Sequence, residues 1–306
     1  MKILTIFIIT VLAASNCWGQ ESKLELSSER KSDKSVDLLY KKGGSGYYTV
    51  VLNFSELTNA SIDKTTYSID GQEGKLLTLK PTDNNQSIGY RYSYRSVRGK
   101  LKPKIDYAFC YLFPYPPGTV CEVAEAGFAS ERYFGAEKPA DWKSYVIYTG
   151  NEETVTAIRK GIVVEVTDQY EHSKDVEFTT KQNSIIIEHE DGSLVRYLGL
   201  KKGTMKVSPG DEVFPNTPLG FNTPRSKNRF GVSIFMYYLS SVDFESLRGQ
   251  TLATQKSLYS IITPKFSVNN NQCVFLESKS SYTSYSSKEI ITREMSKKEL
   301  KRYNMQ

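Results

Sequence analysis

Asp191-Gly192 stands between two short apolar runs, and that arrangement restricts the possible folds more than any other stretch of the chain. Ser184 to Glu188 (SIIIE) is β-branched and too short for a helix, and Ser193 to Leu198 (SLVRYL) has a similar character. An Asp-Gly pair supplies the φ > 0 backbone of a tight turn, so the two runs are predicted to fold back on each other as a β-hairpin. Downstream, Pro209-Gly210-Asp211 marks a second tight turn. The apolar positions Val207, Val213 and Leu219 are interrupted by Pro and Gly too often for helical periodicity. Residues 183–221 therefore read as strand and turn throughout.

The same signal extends along the chain. With 21 Tyr and 14 Phe and few long helical patterns, the composition points to a mainly β protein. After Gly43-Gly44-Ser45-Gly46, the alternation in Tyr47 to Phe54 predicts a first firm strand. Further strands are predicted over 76–79, 88–94, 107–112 and 120–123. Together they predict an antiparallel, sandwich-like N-terminal domain over 43–128, preceded by a polar tether at 20–42 and followed by a linker at 129–143. Tyr90, Tyr92 and Tyr94 share one face, which reads as sheet packing, with an aromatic platform for glycan as the sharper alternative. Lys288 to Tyr303 is amphipathic, and Ser296 with Glu299 fits a capping box, so a short C-terminal helix is expected there.

Residues 1–19 read as a signal peptide, with Lys2, an apolar core from Ile3 to Ala14, and small residues around Cys17-Trp18-Gly19. Cleavage after Gly19 is expected rather than lipid attachment at Cys17, because Asn16 is an unusual predecessor for a lipidated cysteine. No later run approaches the roughly 18 apolar residues of a membrane span, so the expected destination is the periplasm or cell envelope. The formal charge of +6 reads as an ordinary solvated surface. No interleaved basic and aromatic motif points to nucleic acid. Cys110 and Cys121 flank the turn-forming segment Tyr111 to Gly118, and in an oxidising compartment they are expected to pair. Cys273 is then a buried thiol, or the true partner of one of them.

Gly161 to Val166, Ile187 to Gly192 (IEHEDG), Val207 to Val213 (VSPGDEV) and Leu219-Gly220 follow one another in an order that resembles the β-core of the LytM or lysostaphin-type zinc metallopeptidases. Members of that family cleave peptidoglycan cross-bridges. The resemblance covers roughly residues 145 to 240, and implies a β-core over 144–240 with 241–306 as a C-terminal extension.

The resemblance also implies where zinc and its helpers would stand: an H-x-x-x-D pair before the first core strand, the histidine of Y-x-H-L, and a late H-x-H. None of these histidines is present, since the chain has only His172 and His189. The first pair falls on Trp142 and Val146, Y-x-H-L reads Tyr197-Leu198-Gly199-Leu200, and the H-x-H region reads through Gly231 and Ser233. His189 aligns with a hairpin position that is not a ligand, which implies a structural role. Asp141, Glu165 and Asp168 lie near the first-ligand region, but an all-oxygen set favours Mg or Ca, and catalytic zinc takes about three protein ligands. Zinc is accordingly expected to be absent, and no catalytic residue is assigned. The implied function is that of a non-catalytic envelope protein that binds peptidoglycan or regulates a cell-wall hydrolase, with Tyr197, Lys227 and Arg229 as candidate groove residues. The alternatives are a zinc endopeptidase with relocated ligands and an envelope glycan-binding or adhesion protein.

Overall fold

The computed structural model describes residues 23–128, 137–171, 181–226, 229–251 and 257–305. The expected signal peptide with Cys17, most of the expected linker, His172, Lys227 and nearly all of a polar insert expected at 171–180 lie outside the described residues.

The described chain begins with six strands: β1 (Lys23–Arg30), β2 (Val36–Gly43), β3 (Tyr48–Thr58), β4 (Thr66–Ile69), β5 (Glu73–Leu79) and β6 (Gly89–Arg98). They form two three-stranded antiparallel sheets, ordered β1-β2-β5 and β4-β3-β6. Leu24, Val36, Leu38 and Leu79 of one sheet pack against Tyr48, Val50, Leu52 and Ile69 of the other in a single core. This is the two-layer sandwich that the alternation predicted. It starts earlier than expected, because residues 23–43 form a hairpin and not a tether. That segment looks polar because its apolar residues are few, but Leu24, Val36 and Leu38 are enough to close the layer.

The second half is built on a ten-stranded sheet. Its strands are β8 (Val120–Glu125), β9 (Ser144–Thr149), β11 (Gly161–Thr167), β12 (Ser184–Glu188), β13 (Leu194–Leu198), β14 (Glu212–Val213), β16 (Thr223–Ser226), β17 (Arg229–Leu239), β18 (Tyr259–Ile261) and β21 (Ser281–Thr283). The main path runs β14-β11-β12-β13-β17-β9-β8-β21, and β16 and β18 both pair with β17. Smaller sheets are made by β10 (Thr154–Thr156) with β15 (Pro218–Phe221), and by β7 (Cys110–Leu112), β19 (Lys265–Val268) and β20 (Gln272–Phe275). Among the described residues every strand pairing is antiparallel except β7 with β19.

The hairpin at 184–198 forms as predicted, in register from Ser184 opposite Leu198 to Glu188 opposite Leu194. Gly192 supplies the positive φ of 83° that the turn requires. Its β12 strand is apolar on both faces because both are covered. Ile185 and Ile187 enter the main core, while Ile186 joins Val164, Leu194 and Tyr237 on the outer face. The N-terminal sandwich reaches that outer face, where the Tyr47 backbone N–H donates to Glu188 at 2.8 Å and Arg98 lies 3.8 Å from Glu165.

Three further expectations are corrected. Residues 107–128 belong to the second core, because Tyr111, Phe113, Tyr115, Cys121 and Val123 are buried in it. Residues 241–306 are likewise integral to it, since β18, β19 and β21 pair with β17, β7 and β8. The chain ends in two short helices, α1 (Lys288–Thr292) and α2 (Lys297–Tyr303), and the Ser296–Glu299 capping box forms at the start of α2. Cys110 pairs with Cys273, not Cys121, across a Cα separation of 5.9 Å. The Pro-rich segment carries Phe113 and Tyr115 into the core instead of turning the chain back on itself. β7 and β20 flank β19, which brings Cys110 and Cys273 together. Cys121 remains a buried thiol.

Candidate functional site

The register of β9, β17 and β13 assembles a patch on the outer face of the large sheet. Ser233 on β17 lies opposite Leu198 on one side and Val146 on the other, and Gly231 lies opposite Tyr148. Directly opposed residues project to the same face, so Val146, Ser233 and Leu198 form a row across three strands. Phe235 lies next along β17 on that face, with its ring 5.4 Å from the indole of Trp142 and 5.2 Å from Tyr237. The indole is fixed by Nε1 donating to the Ala126 carbonyl at 3.0 Å and by Phe128 packing at 4.7 Å. Gly199 follows the last residue of β13. The positions singled out by the resemblance, Trp142, Val146, Gly199, Gly231 and Ser233, are therefore neighbours in space.

A residue missed in the sequence occupies the middle of this patch. β16 pairs with the start of β17, and its register slips between Pro224 and Ser226, so Arg225 sits in an irregularity of the strand. Such bulges re-aim a side chain. The Arg225 stem lies over Gly231, whose hypothetical Cβ would be 3.5 Å from Cγ. Its guanidinium occupies the space above Gly199, whose Cβ would fall 2.0 Å from Nη2. Nε donates to the Gly231 carbonyl at 3.3 Å and Nη2 to the Leu198 carbonyl at 3.2 Å. Burial lowers its pKa below the usual arginine value, but the group remains a cation at any ordinary pH.

Arg196, also on the outer face, donates to Ser184 Oγ at 3.2 Å, and its Nε is buried without a partner. Arg229 stacks 3.9 Å from the Tyr148 ring centre and pairs with Glu122 at 3.0 Å. The signal that could have located Arg225 was the pair of glycines at 199 and 231, which leave room for a large side chain between them.

Tyr197, expected in the groove, faces the opposite way. It is fully buried, and its hydroxyl accepts from the Ile158 backbone N–H at 2.9 Å. The alternation of β13 that presents Arg196 and Leu198 outward turns Tyr197 inward. His189 is buried beside the turn, with Nδ1 2.8 Å from the Lys160 carbonyl. Burial pushes its pKa down to about 3, so the ring is neutral.

The carboxylates weighed as substitute metal ligands are used elsewhere. Asp141 accepts from Ile261 at 2.8 Å, Asp168 from Gly203 at 2.8 Å, and Glu165 faces Arg98. Among the described residues no three His, Cys, Asp or Glu side chains converge. At the patch itself only the Ser233 hydroxyl is a side-chain oxygen donor among the aligned positions, and a guanidinium stands beside it. This donor set does not fit zinc, which needs nitrogen, sulfur or carboxylate ligands and is repelled by a fixed cation.

No family model matches the chain, and no curated protein is significantly similar to it. Several solved structures are similar at low identity. One is described as a novel M23 metalloprotease, pseudoalterin, from deep-sea, with 16% identity, a TM-score of 0.33, and coverage of 58% of this chain and 96% of that one. Another is the SpoIIQ–SpoIIIAH pore-forming complex, with 15% identity, a TM-score of 0.28, and coverage of 42% and 84%. A third is a zinc-containing peptidase from Vibrio cholerae, with 13% identity, a TM-score of 0.25, and coverage of 70% and 74%. Scores of this size carry no argument about chemistry, and the strand order and register above stand on their own.

Proposed function

We propose that this chain is a non-catalytic protein of the bacterial cell envelope that binds peptidoglycan through the outer face of its large sheet, with a cell-wall hydrolase as the alternative partner. The observation that supports this reading is the replacement at the patch. Where the resemblance implies a zinc centre, the residues are Trp142, Val146, Gly199, Gly231 and Ser233, and the positive charge among them is the Arg225 guanidinium. Hydrolysis by the family's route requires a metal-activated water, and these side chains offer it no ligand set. The half-exposed aromatic side chains of Trp142, Phe128 and Phe235 provide a stacking surface for a sugar ring or an apolar peptide side chain.

The Cys110–Cys273 disulfide accords with export to an oxidising compartment. Among the described residues no helix is long and apolar enough to cross a membrane. A glycan platform on the N-terminal domain has less support, since Tyr90 and Tyr92 pack on the sandwich core and the Tyr90 hydroxyl bonds to Ser28 at 2.9 Å.

The test is co-sedimentation of the purified exported chain with peptidoglycan sacculi, alongside a peptidoglycan-gel clearing assay and metal analysis. Sedimentation without clearing and without stoichiometric zinc is expected. Clearing accompanied by one bound zinc per chain would replace the proposal with an active metallopeptidase, and failure to sediment would remove wall binding.

A further inference from the structure

We infer that the contact between the N-terminal sandwich and the large sheet is a proton-dependent latch centred on Glu188: with its carboxyl neutral the two halves close, and with it ionised they part. The inference concerns how the outer face of the sheet is covered, and it goes beyond the wall-binding reading above.

The latch is built from a glycine-rich loop. Gly44 to Tyr47 leads from β2 to β3 and lies against the outer face of β11 and β12. A Cβ on Gly46 would fall 2.2 Å from Glu188 Oε2 and 2.5 Å from Val164 Cγ1, and the residue has a φ of 77°. Only glycine lets the loop come this close. Hydrogen bonds cross the joint from Tyr47 N–H to Glu188 Oε2 at 2.8 Å, from Lys102 N–H to the Leu239 carbonyl at 2.8 Å, and from the Tyr259 hydroxyl to the Arg98 carbonyl at 2.9 Å. Val164, Leu194 and Tyr237 form one buried apolar cluster at this joint, and Phe235, stacked on Tyr237, continues it toward the patch.

The state of Glu188 follows from what surrounds it. The residue is 5% exposed; Oε2 holds the Tyr47 N–H, and Oε1 is buried with no hydrogen-bond partner. The neighbouring cations are committed elsewhere. Lys42 Nζ donates to the carbonyls of Gly46 and Asp70, while Arg98 donates to the Ser45 carbonyl and faces Glu165 at 3.8 Å. Burial acts most strongly and raises the carboxyl to about 7; the Tyr47 N–H, Arg98 and Lys42 favour the carboxylate, and Asp70 opposes it. The Tyr47 and Tyr237 phenols are raised by burial and stay neutral, as does His189 on the opposite face of the strand. A neutral carboxyl carries its proton on Oε1 and accepts at Oε2. A carboxylate would leave a charged oxygen without water or a donor.

Ionisation therefore demands water at Oε1, and one side of the joint must yield to admit it. β12 is paired on both edges, by β11 and β13, whereas the Gly44–Tyr47 loop stands outside the sheets that β2 and β3 belong to. The loop is the side that lifts, and the sandwich lifts with it.

The experiment is amide hydrogen exchange of the full exported chain, read as protection factors from pH 5 to 8 for wild type, Glu188→Gln and Gly46→Ala. The Tyr47 and Lys102 amides report on the joint, and amides of β3 and β13 serve as references within each half. In wild type the reporters should exchange faster than the references. Their protection should fall about tenfold or more across the range, because the contribution of a raised carboxyl is complete below about pH 4.3 and is lost as pH rises through 7. Glu188→Gln should hold that protection constant with pH, and Gly46→Ala should lower it at every pH, with reference amides still protected to show that each variant is folded. Wild-type reporters that keep constant protection, or an undiminished pH dependence in Glu188→Gln, would overturn the proton dependence. Reporters that exchange only as fast as the references, or a Gly46→Ala joint as protected as wild type, would overturn the latch itself. None of these outcomes bears on whether sacculi are bound.

Discussion

Glu188 and His189 are adjacent at the end of β12, and burial acts on both by disfavouring the charged form, with opposite consequences for stability. Burial raises the Glu188 carboxyl to about 7, offset in part by the Tyr47 N–H and the charges of Arg98 and Lys42, with Asp70 acting in the same direction as burial. His189 is depressed to about 3 by burial and then by the nearby Arg159 charge. The unfolded values are about 4.3 and about 6.5. The folded state therefore binds more protons at Glu188, whose contribution is complete below about pH 4.3 and is lost as pH rises through 7. It binds fewer at His189, whose contribution is complete above about pH 6.5 and is lost as pH falls toward 3. Between these limits the two slopes oppose each other.

Glu188→Gln removes one slope and leaves the other. Measured by urea unfolding, its stability relative to wild type should rise between pH 5 and 8 by an amount on the order of 2 kcal/mol. A difference that stays constant across that range would show that Glu188 is not held in its protonated form at the domain contact.

At the scale of elements, the C-terminal helices are held by charge more than by apolar burial, for neither buries a residue completely. Arg159, 3% exposed, lies 3.9 Å over the Phe109 ring and donates to Tyr111, to Asp191 in the hairpin turn, and to both oxygens of Glu294 between α1 and α2. Lys160 beside it bonds Glu299, the capping-box residue of α2, at 2.8 Å. Arg159→Ala strands two carboxylates in a half-dry site and should cost about 3–5 kcal/mol, measured by urea unfolding, with faster proteolysis of residues 286–305. A loss below about 1 kcal/mol would mean that the cluster is solvated enough to dispense with the guanidinium.

The same elements show what the sequence makes legible. The capping box and the Asp-Gly hairpin depend on residues within four positions of each other, and both were readable. The join between Arg159 and Glu294 spans 135 residues, and no local pattern records it. Arg225 was hidden for a related reason, because its direction depends on a register slip between β16 and β17, which becomes defined only once the strands have paired.

For the whole molecule, the long-range covalent link is the feature most at odds with local reading. Cys110 and Cys121 are 11 positions apart, and proximity in sequence favoured them. Topology favours Cys273 because β19 accepts β7 on one edge and β20 on the other, while Cys121 points into the main core from β8. Burial pushes the Cys121 thiol well above its ordinary pKa, and such a thiol is a poor nucleophile for exchange. The observed bridge closes a separation of 163 residues, joining the first strand of the second core to its C-terminal strands. On the chain-entropy account, loops of that length gain the most from closure, and removal of a native disulfide costs about 2–5 kcal/mol. Replacing Cys110 and Cys273 together with serine should therefore lower the unfolding free energy by about 3 kcal/mol, and Tm by roughly 6–10 °C. Cys121→Ser should leave the non-reducing peptide map unchanged, because its sulfur takes no part in the bridge. A map of the native protein that links peptides containing Cys110 and Cys121 would refute the topology that sets β7 beside β19, and with it the placement of residues 107–128 in the second core.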